Sequence, residues 1–506
     1  MKSSTRNIIT GALMLAMFLA AIEVTIVNAA MPTVVGALGG VSLYSWVFSA
    51  FMLANTTSVP IYGKLADLYG RKNVFIIAVS LFITGSVLCG LSQSMGQLVL
   101  FRAIQGLGAG GVLPVALTIV GDIFPFEQRA RMQGWFSSMW GLAAILGPFV
   151  GGWTVEHFSW RWLFWFNFPL GLGIILIIFL FLPNRRHKKS DTSIDYLGAI
   201  LLSFGVFGLL YSTLLIGQGM RENLLAIAVF LFALLLLILF IRWEQKIEHP
   251  FLPIHLFRKP IIAASNLTAF LTGMGMFGAI SFVPLFVQGV LGKSPTLAGL
   301  AITPQVLGWS AMSVIAGRWL LKKGYRPPIL TGVSLIVVAA GLFIWMDTST
   351  PYWLVLLSML VLGGGLGLSM TSFLIAVQNA VDTNQRGSST SSQMFSRSMG
   401  GAFGVSILGA VMSFRLDREV EAYIRTHRDQ LTPEMIQHLQ TAKGLSSPES
   451  LAILPSGMEK TMSQFLSSAL GTTFLTAALF SLIALVTAFF LVPAGSAQSL
   501  SAEEKE

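Results

Sequence analysis

Charge is what this sequence most lacks. Only 11% of its 506 residues are Asp, Glu, Lys or Arg, against roughly a quarter in an ordinary soluble domain. With a mean hydropathy of +0.75, the chain has too little polar surface to face water on all sides, which excludes a soluble globular protein. Cysteine is nearly absent as well. Cys89 stands alone in an apolar run, so no internal disulfide exists and nothing is said about redox compartment. There is no GxxxxGK[ST] loop to cradle a phosphate and no HExxH helix. The histidines 157, 187, 249, 255, 427 and 438 are scattered through connecting segments without the spacing of a metal site. Neither metal, cofactor nor enzymatic reaction is therefore expected. The formal charge of +10 gathers in no basic stripe, which argues against nucleic acid. No short cleavable leader is expected either, because the apolar run from Ile8 is too long and others follow it.

Long apolar runs are what the chain has instead. About fourteen of them reach the roughly 20 residues that cross a hydrocarbon core about 30 Å thick. They cover 8–31, 42–63, 74–94, 98–120, 132–155, 162–183, 195–217, 223–242, 261–290, 296–320, 328–347, 352–378, 388–413 and 466–492. The expected fold class is an all-α polytopic membrane protein. Lys and Arg collect on alternate connections, among them Lys64, Arg71, Lys72, Arg129, Arg185, Arg242, Arg258, Lys322, Arg326 and Arg386, while the other side holds only Arg161, Arg221 and Lys293 in its short loops. Positive residues stay inside, so both termini are expected in the cytoplasm. One long outer segment, 414–464, contains Thr432-Pro433-Glu434 and Ser447-Pro448-Glu449. Each has a hydroxyl cap, Pro at the first helical position and an acid behind it, the pattern of a helix start.

The runs repeat. GKLADLYGRK at 63–72 has an echo in GRWLLKKGYR at 317–326, QGLGAGG at 105–111 in LGGGLGL at 362–368, and SMWGLAAILG at 138–147 in SMGGAFGVSILG at 398–409. The offset is about 254 to 260 residues each time, the mark of two homologous bundles with a site at their interface. The expected organisation is a first six-helix bundle at 8–183, two inserted helices at 195–242 and a second six-helix bundle at 261–492.

Within LAAIEVTIVNAAMP at 19–32, Glu23 is the only carboxylate placed deep in a run. Intramembrane charges are expensive and mark sites. Arg102, in the fourth run, lies at a comparable depth, so the two are expected to share a cavity. In GKLADLYGRK, Gly63 and Gly70 allow close approach and a tight turn, while Asp67, Arg71 and Lys72 are able to pair across the bundles as a latch that breaks when they rock. Gly141, Gly147, Pro148, Gly151 and Gly152 make the fifth helix easy to pack and prone to bend. Candidate cavity residues are Asn28, Gln105, Trp140, Gln288, Gln305, Gln393, Phe395 and Arg397. The amides among them equally suit cross-links between helices.

These motifs resemble those of the major facilitator superfamily. The 63–72 loop looks like its signature, and LVLFRAIQGLGAGG at 98–111 resembles its fourth-helix motif. GLAAILGPFVGG at 141–152 is similar to the fifth-helix motif of drug:proton antiporters. EVTIVNAAMP at 23–32 and WRWLFWFNFPLG at 160–171 resemble motifs of the fourteen-helix branch, with Glu23 where Asp is usual. The resemblance implies proton coupling through Glu23 and Arg102 and export by alternating access, driven by a proton gradient without a cofactor. The expected partners are protons, lipid and lipophilic drugs, cationic or neutral, and the expected unit is a monomer. Two alternatives stand beside this. One is a dedicated exporter of a single metabolite such as a tetracycline-like antibiotic, siderophore or amino acid; the other is a non-transporting membrane sensor.

Overall fold

The computed structural model describes residues 3–38, 43–183, 195–215, 220–247, 254–427 and 459–493. Among the described residues every regular element is helical. In chain order they are α1 (Ser3–Leu38), α2 (Tyr44–Tyr69), α3 (Arg71–Leu91), α4 (Met95–Ile123), α5 (Phe126–His157), α6 (Trp162–Trp165), α7 (Asn167–Phe181), α8 (Tyr196–Leu215) and α9 (Met220–Glu244). There follow α10 (Pro260–Leu285), α11 (Pro295–Leu300), α12 (Thr303–Lys323), α13 (Arg326–Ile344), α14 (Tyr352–Asn379), α15 (Arg386–Thr426) and α16 (Glu459–Leu491). Among the described residues, eleven helical spans are long and apolar enough to cross a membrane. The fourteen runs read from the sequence each coincide with helix, but α2 and α5 fall outside those eleven and α8 is a shorter apolar helix.

Three runs end differently from expectation. The stretch 296–320 is broken at Ala301 into α11 and α12, and 162–183 is broken at Phe166 into α6 and α7. The run 388–413 does not stop at Phe414, because α15 continues to Thr426. Ion pairs one turn apart, Arg415 to Glu419 and Arg425 to Glu421, line that extension. Of the segment 414–464, residues 428–458 lie outside the described residues, and with them both expected helix starts.

Helices α1 to α7 pack on one another, and α10 to α16 do the same. The repeat is visible in how each group is sewn together. In the first, α4 lies between α2 and α3; Gly106 and Gly108 bring its backbone against Phe51 and Phe82. In the second, α14 lies between α12 and α13, with Gly363 against Gln305 and Gly365 against Gly332. A side chain at any of these would meet backbone, so small residues set the helix separation. Lys64, Arg71, Lys72, Arg129, Lys322, Arg326 and Arg386 all fall at one end of the stack, called here the basic end.

The pair α8–α9 packs on neither group alone. Leu202, Val206 and Leu209 of α8 and Ala233 and Phe240 of α9 form one buried cluster with Leu53 of α2 and Met399 of α15. At the basic end, Asp195 accepts from Gly198 N at 2.8 Å and from Trp243 Nε1 at 2.9 Å, and Lys64 of α2 lies in the field of Asp195 and Glu244. The outer face of α9 is Leu-, Ile- and Phe-rich and exposed, as a lipid-facing helix requires.

Candidate functional site

Two polar assemblies interrupt this apolar stack. The first is built on Glu23 and Arg102, each only 1% exposed. Arg102 Nη1 donates to Glu23 Oε1 at 2.9 Å and to Gln105 Oε1 at 2.8 Å, and its Nε donates to the Val47 carbonyl at 3.4 Å. Its guanidinium carbon lies 4.1 Å from the Phe51 ring centroid. The other carboxylate oxygen, Glu23 Oε2, accepts from Asn167 Nδ2 at 2.7 Å; that amide also reaches Ser86 Oγ at 2.8 Å, whose hydroxyl donates to the Phe164 carbonyl. The pair is thus a closed network of α1, α2, α3, α4, α6 and α7.

Glu23 and Arg102 meet, as their depths suggest, but they do not face an open cavity. They are sealed inside the first helix group, and Gln105 belongs to this network rather than to a cargo cavity. Burying two charges is tolerable because each ion has its counter-ion and further hydrogen bonds. Asn167, Ser86 and Phe51 are participants that sequence reasoning passed over. Asn167 was within reach, since it is the one amide in WRWLFWFNFPLG and, with Arg161, one of its two polar side chains.

The second assembly is at the basic end. Asp67, near the end of α2, accepts from Gly387 N at 2.9 Å, Ser388 N at 2.7 Å and Ser388 Oγ at 2.8 Å, all at the start of α15. Arg71 pairs with Asp67 at 3.3 Å and with Asp122 of α4 at 3.1 Å, and donates to the Thr383 carbonyl. Asp122 also holds Arg386 at 3.4 Å. Arg129 Nη1 donates to Asn379 Oδ1 at 2.8 Å. Lys72 is not part of this crossing; it donates to the Phe179 carbonyl at 2.6 Å within its own helix group. Gly70 has a φ of 85°, which only glycine adopts at no steric cost and which turns α2 directly into α3. Asp67, Arg71, Asp122 and Arg129 of the first group thus each reach the second group at this end. The first group is therefore fastened to the second here.

Gly63 lets the fastening close. A Cβ there would strike Ser391 Oγ, and one at Gly387 would stand 2.5 Å from Gly63 O and 2.6 Å from Asp67 Oδ1. Gly63→Ala is expected to destabilise the protein by about 1–3 kcal/mol through overpacking. A thermal-unfolding midpoint that drops in Gly63→Ala and recovers in part when Ser391→Gly is added, the Gly387 carbonyl still being met, checks it; no drop would show that the contact is not tight.

The remaining candidates are dispersed. On α5, a Cβ on Gly141 would come within 2.7 Å of Val306, so α5 and α12 cross closely there. Gly147 and Gly151 lie on the same helix, which runs unbroken past Pro148; the side-chain surroundings of Asn28, Pro148 and Gly152 lie outside what is described. Trp140 is exposed. Gln288 sits in a π-helical turn, Phe286–Val290, at the far end of α10 rather than in mid-span. Gln305 and Gln393 are buried, with Gln305 Oε1 and Gln393 Nε2 lacking hydrogen-bond partners, as does Trp309 Nε1. Phe395 packs against the first group's core, and Arg397 stands over the Trp309 ring. Asp347 is not in a span: it lies in the turn after α13, where the N–H and hydroxyl of Ser349 hold its carboxyl below the usual range. Among the described residues no cluster of His, Cys, Asp and Glu suits a metal ion.

Residues 13–405 match the family model described as Major Facilitator Superfamily. The chain is 34% identical to the multidrug transporter protein MdtP of Bacillus subtilis over 100% of its own length and 96% of that protein. It is 34% identical to multidrug resistance protein 3 of the same organism, covering 81% of this chain and 80% of that one. The efflux pump dotC of Dothistroma septosporum is 33% identical over 79% of this chain and 70% of the pump. Among solved structures, the human organic anion transporter MFSD10 superposes with a TM-score of 0.63 at 15% identity, over 96% of this chain and all of that one. The proton:xylose symporter XylE superposes at 0.61 and 13%, over 99% and 100%. At such identity these two establish the fold alone.

Proposed function

The chain belongs to the Major Facilitator Superfamily, a family of membrane transporters rather than enzymes, and on that premise we propose that it exports lipophilic drugs and other toxic small molecules in exchange for protons. The named relatives support efflux; the observation that carries proton coupling is the Glu23–Arg102 network. A carboxylate that loads and unloads a proton inside a membrane must not strand its counter-ion. Arg102 keeps Gln105 Oε1, the Val47 carbonyl and the Phe51 face when Glu23 is neutral. Neutralising Glu23 therefore removes one partner of several, and the remaining hydrogen bonds and aromatic face reduce the cost of the unpaired cation. The alternating-access cycle follows from the second assembly. With the basic end taken as cytoplasmic, the Asp67 latch holds the inner side shut. Protonation from outside weakens the tie of Arg102 to α1, the bundles rock, the latch opens, and Glu23 returns its proton to the cytoplasm as cargo binds.

The proposed unit is a monomer in the cytoplasmic membrane with both termini inside. It has two six-helix bundles, the inserted pair at 195–242, and fourteen spans once α2, α5 and α8 are counted. Purified protein in liposomes is the test. A panel of chemically unrelated lipophilic dyes, added under an imposed pH gradient, should each drive counter-flow of protons. Dye movement without proton movement would refute the coupling, and movement of one compound alone would mark a dedicated exporter.

A further inference from the structure

Arg397 sits where a membrane protein seldom leaves a cation. It lies on α15 eleven residues beyond Arg386, roughly 16 Å along the axis and so about half-way through a ~30 Å core. Three other buried or half-buried arginines are neutralised, Arg102 by Glu23, Arg71 by Asp67 and Asp122, and Arg386 by Asp122, while Arg129, Arg161 and Arg326 near the span ends each donate to a neutral oxygen. Arg397 makes no ion pair and no hydrogen bond among the described residues. It is half-buried, and its guanidinium carbon is 5.8 Å from the centroid of Trp309 on α12. The cost of an unpaired intramembrane cation is several kcal/mol, and such a residue calls for a partner.

Its surroundings offer donors. Gln393, one turn earlier on the same face of α15, is 5% exposed with Nε2 unpartnered, and Trp309 Nε1, which can only donate, is unpartnered too. Gln305 Oε1, a turn before Trp309, is an open acceptor, but a neutral one. Three donor groups, one of them charged, beside an aromatic face therefore lack an acceptor. Across the seam the Glu23–Arg102 pair is closed and neutral as a unit, so it offers Arg397 no compensation.

We infer that Arg397, with Trp309 and Gln393, forms a cargo subsite that selects soluble amphiphiles carrying one anionic acceptor group, such as a sulfonate or carboxylate, on an aromatic body. This deepens the efflux reading and rests on it. A planar guanidinium takes two oxygens of such a group at once, while the ring stacks on the cargo's apolar part. It also replaces the expectation of cationic cargo, because a lone guanidinium repels a second cation in a medium that screens poorly.

The test is transport in proteoliposomes of three matched probes: naphthalene-2-sulfonate, its uncharged sulfonamide, and 2-naphthyltrimethylammonium. Wild type should favour the sulfonate over the ammonium. Arg397→Gln should lower the ratio of sulfonate to sulfonamide transport on the order of tenfold, the scale of one charge-assisted hydrogen-bonded contact, and Arg397→Lys should keep most of the ratio. The exposed Arg425→Gln serves as control. An unchanged ratio in Arg397→Gln, a wild-type preference for the ammonium, or equal loss of all probes with no recovery in Arg397→Lys overturns the inference. If Arg397→Gln cannot be purified, the wild-type preference and Arg397→Lys decide. Failure of all three probes while the unrelated dyes still move protons sinks this subsite alone; failure of the dyes as well sinks the efflux reading.

Discussion

Proton movement driven by cargo is expected to fall to the level of protein-free liposomes in Glu23→Gln, while the protein still inserts and purifies. Gln keeps the length of the side chain and can still accept from Arg102, but it cannot carry a proton. Arg102 retains Gln105 and the Val47 carbonyl, so the loss should appear in coupling more than in folding. The reverse deletion should behave differently. Arg102→Leu leaves a carboxylate 1% exposed without its counter-ion, and breaking a buried pair from one side costs about 3–5 kcal/mol. Combining Glu23→Gln with Arg102→Leu should recover much of that cost, because no unpaired charge remains. Stability measured across the four proteins gives the coupling energy directly. Full proton exchange in Glu23→Gln, or additive stability losses across the cycle, would rule out the mechanism.

The second large effect is expected at Asp67. Its carboxylate collects three donors from the first turn of α15, and two of them are backbone N–H groups with no intrahelical acceptor. Asp67→Ala strands all three. Each buried orphan costs about 1–3 kcal/mol, enough to shift the balance between closed and open arrangements by at least on the order of tenfold. Hydrogen exchange at Gly387 and Ser388 should accelerate by a similar factor, and transport should drop because the closed state no longer forms reliably. Asp67→Glu, which keeps the charge with a longer reach, should fall between. Unaltered exchange at those two amides would show that the latch does not depend on this residue.

Much of the site was legible as chemistry and little of it as geometry. Glu23 and Arg102 were conspicuous because a charge among apolar residues needs a reason, yet their contact joins positions 79 apart on helices that no local pattern relates. The loop at 63–72 advertised an acid, bases and glycines; its acceptors' partners, Gly387 and Ser388, lie 320 and 321 positions on and carry no charge to announce them. Gln105 was read as lining a cavity because an amide near a span looks alike whether it meets cargo or Arg102. The helix breaks at Ala301 and Phe166 were hidden, since apolar content is the same on both sides of a turn. By contrast, the glycine echoes at 105–111 and 362–368 foretold a physical likeness, and in both groups they thread one helix tightly between two others. Nothing in the pattern around Asp195 and Glu244 marks them as buried; they are so where the α8–α9 pair docks on α2 through α8.

That docking has a bearing on how oily compounds reach the transporter. Two helix bundles side by side leave two vertical clefts facing the bilayer, one between α2 and α15 and the other between α5 and α12. The inserted pair lies over the first, with Leu53 and Met399 beneath it, and it has no counterpart over the second among the described residues. Among the described residues the lipid-facing side is therefore walled on one flank, and on the other α5 meets α12 uncovered, where Gly134 and Gly141 of α5 lie against Ser310, Val314 and Val306. Among the described residues the protein is left-right asymmetric toward its membrane, one flank covered by the inserted pair and the other a direct contact of α5 with α12.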